Sequence, residues 1–115
     1  MRSILLIDDE PHILETAQDI LEAAGYAVQT AETGATALEK LRAGRFSLMI
    51  VDFNLMDIMG IDLAVQAKQL DPELAIILMT GETDVDLGPA KAIIHSVLTK
   101  PVNPADLLEL IHRTI

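Results

Sequence analysis

Ser47-Leu48-Met49-Ile50-Val51-Asp52 is an unbroken apolar run of strand length that stops at a carboxylate. Such a run fits a strand covered on both faces, with its last residue emerging at the edge of the sheet. The same design recurs along the chain. Ile4-Leu5-Leu6-Ile7 stops at Asp8-Asp9, Ala75-Ile76-Ile77-Leu78-Met79 stops at Thr80, and Val97-Leu98 stops at Thr99-Lys100. If these strands run parallel, Asp8, Asp9, Asp52, Thr80 and Lys100 converge on one edge of one sheet.

Between the strands the apolar spacing turns helical. After Asp8-Asp9-Glu10, Pro11 suits a first helical turn, and Ile13, Leu14, Ala17, Ile20, Leu21 and Ala24 then share one face before Gly25. Tyr26 to Thr30 is a less apolar strand, which predicts a sheet edge. Thr33 caps a second helix with Ala37, Leu38 and Leu41 inward and Gly44 at its end. A loop from Phe53 to Gly60 leads into a helix carrying Leu63, Ala64, Ala67 and Leu70, and Asp71-Pro72 turns the chain into the strand Leu74 to Met79. The next connection, Gly81 to Pro89, holds two glycines and a proline where a fourth helix belongs, so that helix is expected to be short or irregular. Ile93 to Leu98 supplies the last strand. Asn103-Pro104-Ala105-Asp106 then opens a last helix with Leu107, Leu108 and Ile111 inward.

Strict alternation of strand and helix implies an α/β fold, a doubly wound parallel sheet of five strands joined by right-handed crossovers. In the flavodoxin-like order 2-1-3-4-5, ligands sit beyond the carboxyl ends of the strands where the order reverses, between the first and third strands. Those are the strands that end in Asp8-Asp9 and Asp52. At 115 residues the chain reads as one domain, 1–115, with no output domain attached. A hydrophobic content of 50% excludes disorder. Lys and Arg number 8 against 18 Asp and Glu, a net charge of -10, which opposes direct binding of nucleic acid or an anionic membrane surface. Without Cys there is neither a disulfide framework nor a thiolate metal site. The opening apolar run is too short for a signal peptide, and no run approaches membrane-spanning length, so the expected location is the cytoplasm.

Three carboxylates brought within about 4 Å of one another repel by roughly 4 kcal/mol per pair at an effective dielectric near 20, so the cluster calls for a cation. An all-oxygen donor set suits Mg²⁺ or Mn²⁺ rather than Zn²⁺. His12, on the helix after Pro11, is read as a solvated surface residue. On the opposite side, the hydroxyl of Thr80 and the ammonium of Lys100 match what the equatorial oxygens of a transferred phosphoryl group need. No phosphate-cradling glycine loop follows the first strand, so no nucleotide or flavin cofactor is implied.

Asp8-Asp9 after the first strand, Asp52 after the third, Thr80 after the fourth and Lys100-Pro101 after the fifth together resemble the receiver domain of two-component response regulators, over nearly the whole chain. The resemblance implies that Asp52 accepts a phosphoryl group from a phosphohistidine on a histidine kinase or histidine phosphotransfer protein, and that the modified domain acts on a downstream effector domain or protein. It further implies Mg²⁺ held by Asp9, Asp52 and the backbone carbonyl of Asn54, with Asp8 acting through water. By the same likeness Lys100 contacts the phosphoryl oxygens, Thr80 moves toward them, and Asn54 and Glu82 tune hydrolysis of the acyl phosphate.

The chain also departs from that pattern. Met56 stands where the family usually has Pro, which predicts a looser Phe53–Gly60 loop, and Val97 stands at the usual aromatic switch position. Gly81 leaves the pocket beside Thr80 open. Two other readings stay open on the sequence. One is a Mg²⁺-dependent phosphohydrolase, disfavoured because its nucleophile would end the first strand and the chain has no room for a cap. The other is a receiver-like interaction module that does not use phosphate, against which the intact Asp9, Asp52, Thr80 and Lys100 weigh.

Overall fold

Five parallel strands, β1 (Ser3–Ile7), β2 (Ala27–Ala31), β3 (Leu48–Asp52), β4 (Ala75–Thr80) and β5 (Ser96–Thr99), form a sheet in the order β2-β1-β3-β4-β5. The connections are α1 (Pro11–Ala23), α2 (Gly34–Ala43), α3 (Gly60–Leu70) and a 3₁₀ helix (Gly88–Ala92), and α4 (Pro104–Thr114) follows β5. The computed structural model describes residues 2–82 and 84–115. Met1, and Thr83 in the glycine- and proline-bearing connection, lie outside the described residues.

Every residue of β3 is buried, as the run that ends in Asp52 requires. Its side chains alternate between two cores. Leu5, Ile7, Met49, Val51, Ile76 and Leu78 face Ala37, Leu63, Ala64, Ala67 and Ala90 on one side of the sheet. Ile4, Leu6, Leu48, Ile50, Ile77 and Met79 face Leu14, Leu21, Leu107 and Ile111 on the other. Each fully buried Leu or Ile contributes roughly 1.5–3 kcal/mol, so both faces hold the strands in register. Ile7 pairs with Val51, Asp52 with Met79, and Thr80 with Thr99, which lines up the carboxyl ends of the four strands that carry candidate groups. A one-residue slip of β3 would drag the Asp52 carboxylate into apolar surroundings, and the cost of desolvating it opposes the slip.

The helix starts follow local chemistry. Thr33 Oγ1 accepts the N–H of Thr36, and Asn103 Oδ1 accepts those of Ala105 (2.8 Å) and Asp106 (3.3 Å). Pro11 and Pro104 occupy first-turn positions where no backbone donor is needed. The expected weak fourth helix is the five-residue 3₁₀ segment.

Three expectations are corrected. The last strand begins at Ser96 rather than Ile93, because the N–H groups of Ile93 and Ile94 both donate to Ala90 O (2.9 and 3.1 Å) and continue the helical turn. Leu70, expected inward, is the last residue of α3 and is 44% exposed. Ala24, also expected inward, is the exposed residue at which α1 ends. Among the described residues no helix is long and apolar enough to cross a membrane.

Candidate functional site

The sheet topology delivers Asp8, Asp52 and Lys100 to one point. Lys100 Nζ lies 2.8 Å from Asp8 Oδ2 and 3.0 Å from Asp52 Oδ1, so a single ammonium bridges the ends of β1 and β3 from the end of β5. Asp8 is fully buried and Asp52 nearly so, while the lysine side chain keeps 19% of its exposure. The Lys100–Pro101 peptide is cis, and the Lys100 N–H donates to Thr80 O at 2.7 Å, tying the lysine to the end of β4.

The electrostatics follow from this arrangement. Burial raises the Asp52 carboxyl above its ordinary value; the hydrogen bond from Lys100 opposes that rise, and the negative charges of Asp8 and Asp9 add to it. For Lys100, burial alone would lower the ammonium, but its bonds to Asp8 and Asp52 outweigh burial and hold it above its ordinary value. The site therefore carries more negative charge than its one ammonium balances.

Asp9 is half-buried at the rim. Carboxylate oxygens of Asp8, Asp9 and Glu10 lie within 4.8 Å of one another, with Glu10 exposed, and Asp52 stands outside that trio. Glu10 is not among the site residues expected from the sequence, although the run Asp8-Asp9-Glu10 carries the signal. Its N–H donates to Asp8 Oδ1 (3.0 Å), which folds the chain back over the site. All of these donors are hard oxygens, and together with the uncompensated charge they fit a divalent cation such as Mg²⁺ or Mn²⁺. His12 is a surface residue, with its Nε2 3.7 Å from Glu10 Oε2.

Thr80 is buried at the end of β4, and its Oγ1 accepts the N–H of Glu82 at 3.1 Å. Asn54 is exposed in the loop after β3, where it forms an isolated antiparallel bridge with Met59. Among the described residues neither Thr80 nor Asn54 hydrogen-bonds the side chains of Asp52 or Lys100. Gly81 is exposed, and a Cβ built on it would meet nothing within 4 Å, which agrees with an open approach beside Thr80.

The Phe53–Gly60 loop is closed more firmly than Met56 led one to expect. Met56 is 85% exposed and makes up the tip, but the Gly60 N–H donates to Phe53 O at 2.8 Å across the loop's base. A Cβ on Gly60 would sit 2.2 Å from Asp52 O, so the start of α3 packs directly on the backbone of Asp52. Only glycine permits that approach. Backbone contact thus closes the loop that Met56, in place of a proline, was expected to loosen.

Comparison with known proteins agrees with this geometry. The sequence profile of the response regulator receiver domain matches residues 4–112. The response regulator receiver protein CpdR of Brucella abortus is 35% identical, with 100% of this chain and 98% of CpdR covered. A response regulator receiver domain protein of Methanospirillum hungatei superposes with a TM-score of 0.93 at 35% identity, covering 98% of this chain and 92% of that one. The response regulator TrrA of Thermotoga maritima, solved in complex with Mg²⁺-BeF, superposes with a TM-score of 0.92 at 30% identity over 100% of both chains. Several transcriptional regulatory proteins are matched over only 24% to 27% of their own length.

Proposed function

The chain belongs to the receiver domain family of two-component response regulators, and on that premise we propose that it is a phosphorylation-dependent switch with Asp52 as acceptor. The single observation that carries this reading is the Lys100 ammonium shared between the buried Asp8 and Asp52 at 2.8 and 3.0 Å.

In the proposed reaction a lone pair on an Asp52 carboxylate oxygen attacks the phosphorus of a phosphohistidine on a histidine kinase or histidine phosphotransfer protein. The new O–P bond forms as the N–P bond breaks. The bonding pair stays on the imidazole nitrogen, which then takes up a proton. Lys100 is already within bonding distance of Asp52 and neutralises charge on the transferred group. Asp9, Asp52 and the carbonyl of Asn54 would hold the divalent cation, Asp8 would act through water, and Glu10 stands close enough to add an oxygen. When bound, that cation supplies charge compensation and a binding position for a phosphoryl oxygen. Its presence with BeF in TrrA supports the assignment.

Phosphorylation exchanges one carboxylate for a group with more charge and more acceptor oxygens, and so gives Lys100 and the Thr80 hydroxyl new partners. Couplings of this kind are about 1–3 kcal/mol, enough to alter the affinity of a downstream effector about five- to a hundredfold. The reading is of a regulatory domain in the cytoplasm, free of nucleic acid and membrane, whose chemistry is limited to its own phosphorylation and slow dephosphorylation.

Incubation with Mg²⁺ and acetyl phosphate or phosphoramidate, followed by intact mass measurement, tests it. The wild type gains one phosphoryl mass and Asp52→Asn gains none. An unchanged wild-type mass would overturn the proposal in favour of an interaction module that does not use phosphate.

A further inference from the structure

The tip of the acceptor loop is held by a contact with the start of the neighbouring helix α2. Asp57 Oδ1 accepts the N–H of Gly34 at 2.9 Å and Oδ2 accepts that of Ala35 at 3.0 Å, so one carboxylate clamps the first turn of α2 from more than twenty residues away. The first N–H groups of a helix have no partner within the helix. Here Thr33 satisfies Thr36, while Gly34 and Ala35 depend on Asp57. The positive end of the helix dipole favours an anion at that position, and the two backbone bonds hold the Asp57 carboxyl below its ordinary value.

The neighbouring residue tightens the clamp. A Cβ on Gly34 would fall 2.2 Å from Ile58 Cγ2, so the backbone of α2 lies directly against the loop. At the loop's base, Gly60 is bonded to Phe53 and packed on Asp52. Between these two grips lies the Asn54–Met59 bridge, with the Met56 tip standing in solvent. The contact lies one residue past Met56, and it has no counterpart at the start of α3, where Met59 makes no side-chain cap.

We infer that Asp57 is a positioning residue: its bond to the first turn of α2 fixes the Phe53–Gly60 loop, and through it the Asn54 carbonyl and the Asp52 backbone of the acceptor site. The consequence for cation binding rests on the phosphoacceptor reading, whereas the clamp itself does not.

The test uses the full ¹⁵N-labelled chain and the variants Asp57→Ala, Asp57→Asn and Thr33→Ala. Thr33→Ala weakens the same helix end by removing its own cap, but leaves the loop contact intact. Amide exchange of Gly60 is measured without metal, and Mg²⁺ is then titrated while the Asn54 and Leu55 amide signals are followed. In Asp57→Ala, Gly60 exchanges about tenfold faster and half-saturating Mg²⁺ rises about fivefold, as loss of a charge-assisted pair at a helix end implies. Asp57→Asn keeps one acceptor oxygen and falls between. Thr33→Ala stays within about twofold of the wild type in both readouts although its helix is weaker. Equal Gly60 exchange in the wild type and Asp57→Ala overturns the inference, and so does an equal change in Thr33→Ala. If the wild type gains no phosphoryl mass from acetyl phosphate, the phosphoacceptor reading fails while the exchange comparison still decides the role of Asp57.

Discussion

Lys100→Met removes the one cation from the site while keeping most of the side chain's bulk. Asp8 is fully buried and the Asp52 side chain is 12% exposed, so the substitution leaves two inward carboxylates without the ammonium that bridges them. Removing one partner of a buried ion pair costs about 3–5 kcal/mol, and solvent reaching the lysine puts this case near 3 kcal/mol. For a domain of this size that lowers Tm by roughly 10 °C. The pH dependence has a definite sign. In the wild type the Lys100 ammonium is held above its ordinary 10.5, so its contribution is complete below that value and is lost as pH rises through the folded-state value. In the variant Asp52 loses the hydrogen bond that opposes the rise caused by burial and binds its proton more tightly folded than unfolded, so the defect grows as pH rises above the ordinary carboxylate value and shrinks toward about pH 5. Mg²⁺ at a hundred times its Kd adds about 2.7 kcal/mol to any state that binds it. It should therefore rescue the variant further than it stabilises the wild type, since it also replaces the missing charge. Thermal unfolding followed by circular dichroism, in EDTA and in Mg²⁺, at about pH 5 and pH 7.5, reads all three effects. A variant that melts within about 2 °C of the wild type in EDTA at the higher pH would refute the charge balance assigned to the site.

Two further outcomes are expected. Asp52 is raised above its ordinary 3.8 by burial, so its ionised form disfavours the fold once pH passes that window; Asp52→Asn should be more stable than the wild type at neutral pH in EDTA. After discounting for solvent at the rim the gain is of order 1 kcal/mol, and a urea midpoint below that of the wild type would count against it. Gly60→Ala would put a methyl 2.2 Å from Asp52 O and 3.1 Å from Asp52 C and Phe53 Cα, all of it backbone that cannot turn aside. A loss of about 3 kcal/mol in urea unfolding is expected, with slower phosphoryl gain, and an unchanged midpoint would show that the start of α3 yields freely.

Much of the architecture could be read from where apolar runs stop. Asp8, Asp52, Thr80 and Lys100 each end a strand, and parallel pairing puts strand ends side by side. Thr33 and Asn103 could be recognised as caps because a cap bond spans only three residues. What escaped the sequence depends on longer range or on an ambiguous period. Ile93-Ile94-His95 is short and apolar enough to pass for a strand, and only the bonds back to Ala90 reveal a turn. Leu70 keeps helical spacing with Leu63 and Ala67, yet it ends its helix and stands 44% exposed. Gly60 looked like a loop residue, and nothing local shows that Asp52 O lies where its Cβ would be. Asp57 gave no cue at all, because its partners are the first residues of a neighbouring helix more than twenty positions earlier in the chain.

A count of charge links these features into one scheme. Asp8, Asp9 and Asp52 with Lys100 leave two negative charges at the rim, which a divalent cation cancels. In the proposed reaction an acyl phosphate on Asp52 would carry about -1.5 to -2 in place of the carboxylate's single charge, and so restore an excess of up to about one charge. Lys100 has two carboxylate partners, which leaves its ammonium one N–H for a phosphoryl oxygen. The next donor is the hydroxyl of Thr80. Its oxygen accepts from Glu82 while its own hydrogen takes no part in that bond. In the proposed switch that hydrogen turns toward a phosphoryl oxygen while the same oxygen keeps the Glu82 N–H. Val97, 41% exposed on β5, carries no ring that could fill space vacated by Thr80. What the proposed switch has instead is the bond from the Glu82 N–H to Thr80 Oγ1, which couples the hydroxyl to the backbone just after β4.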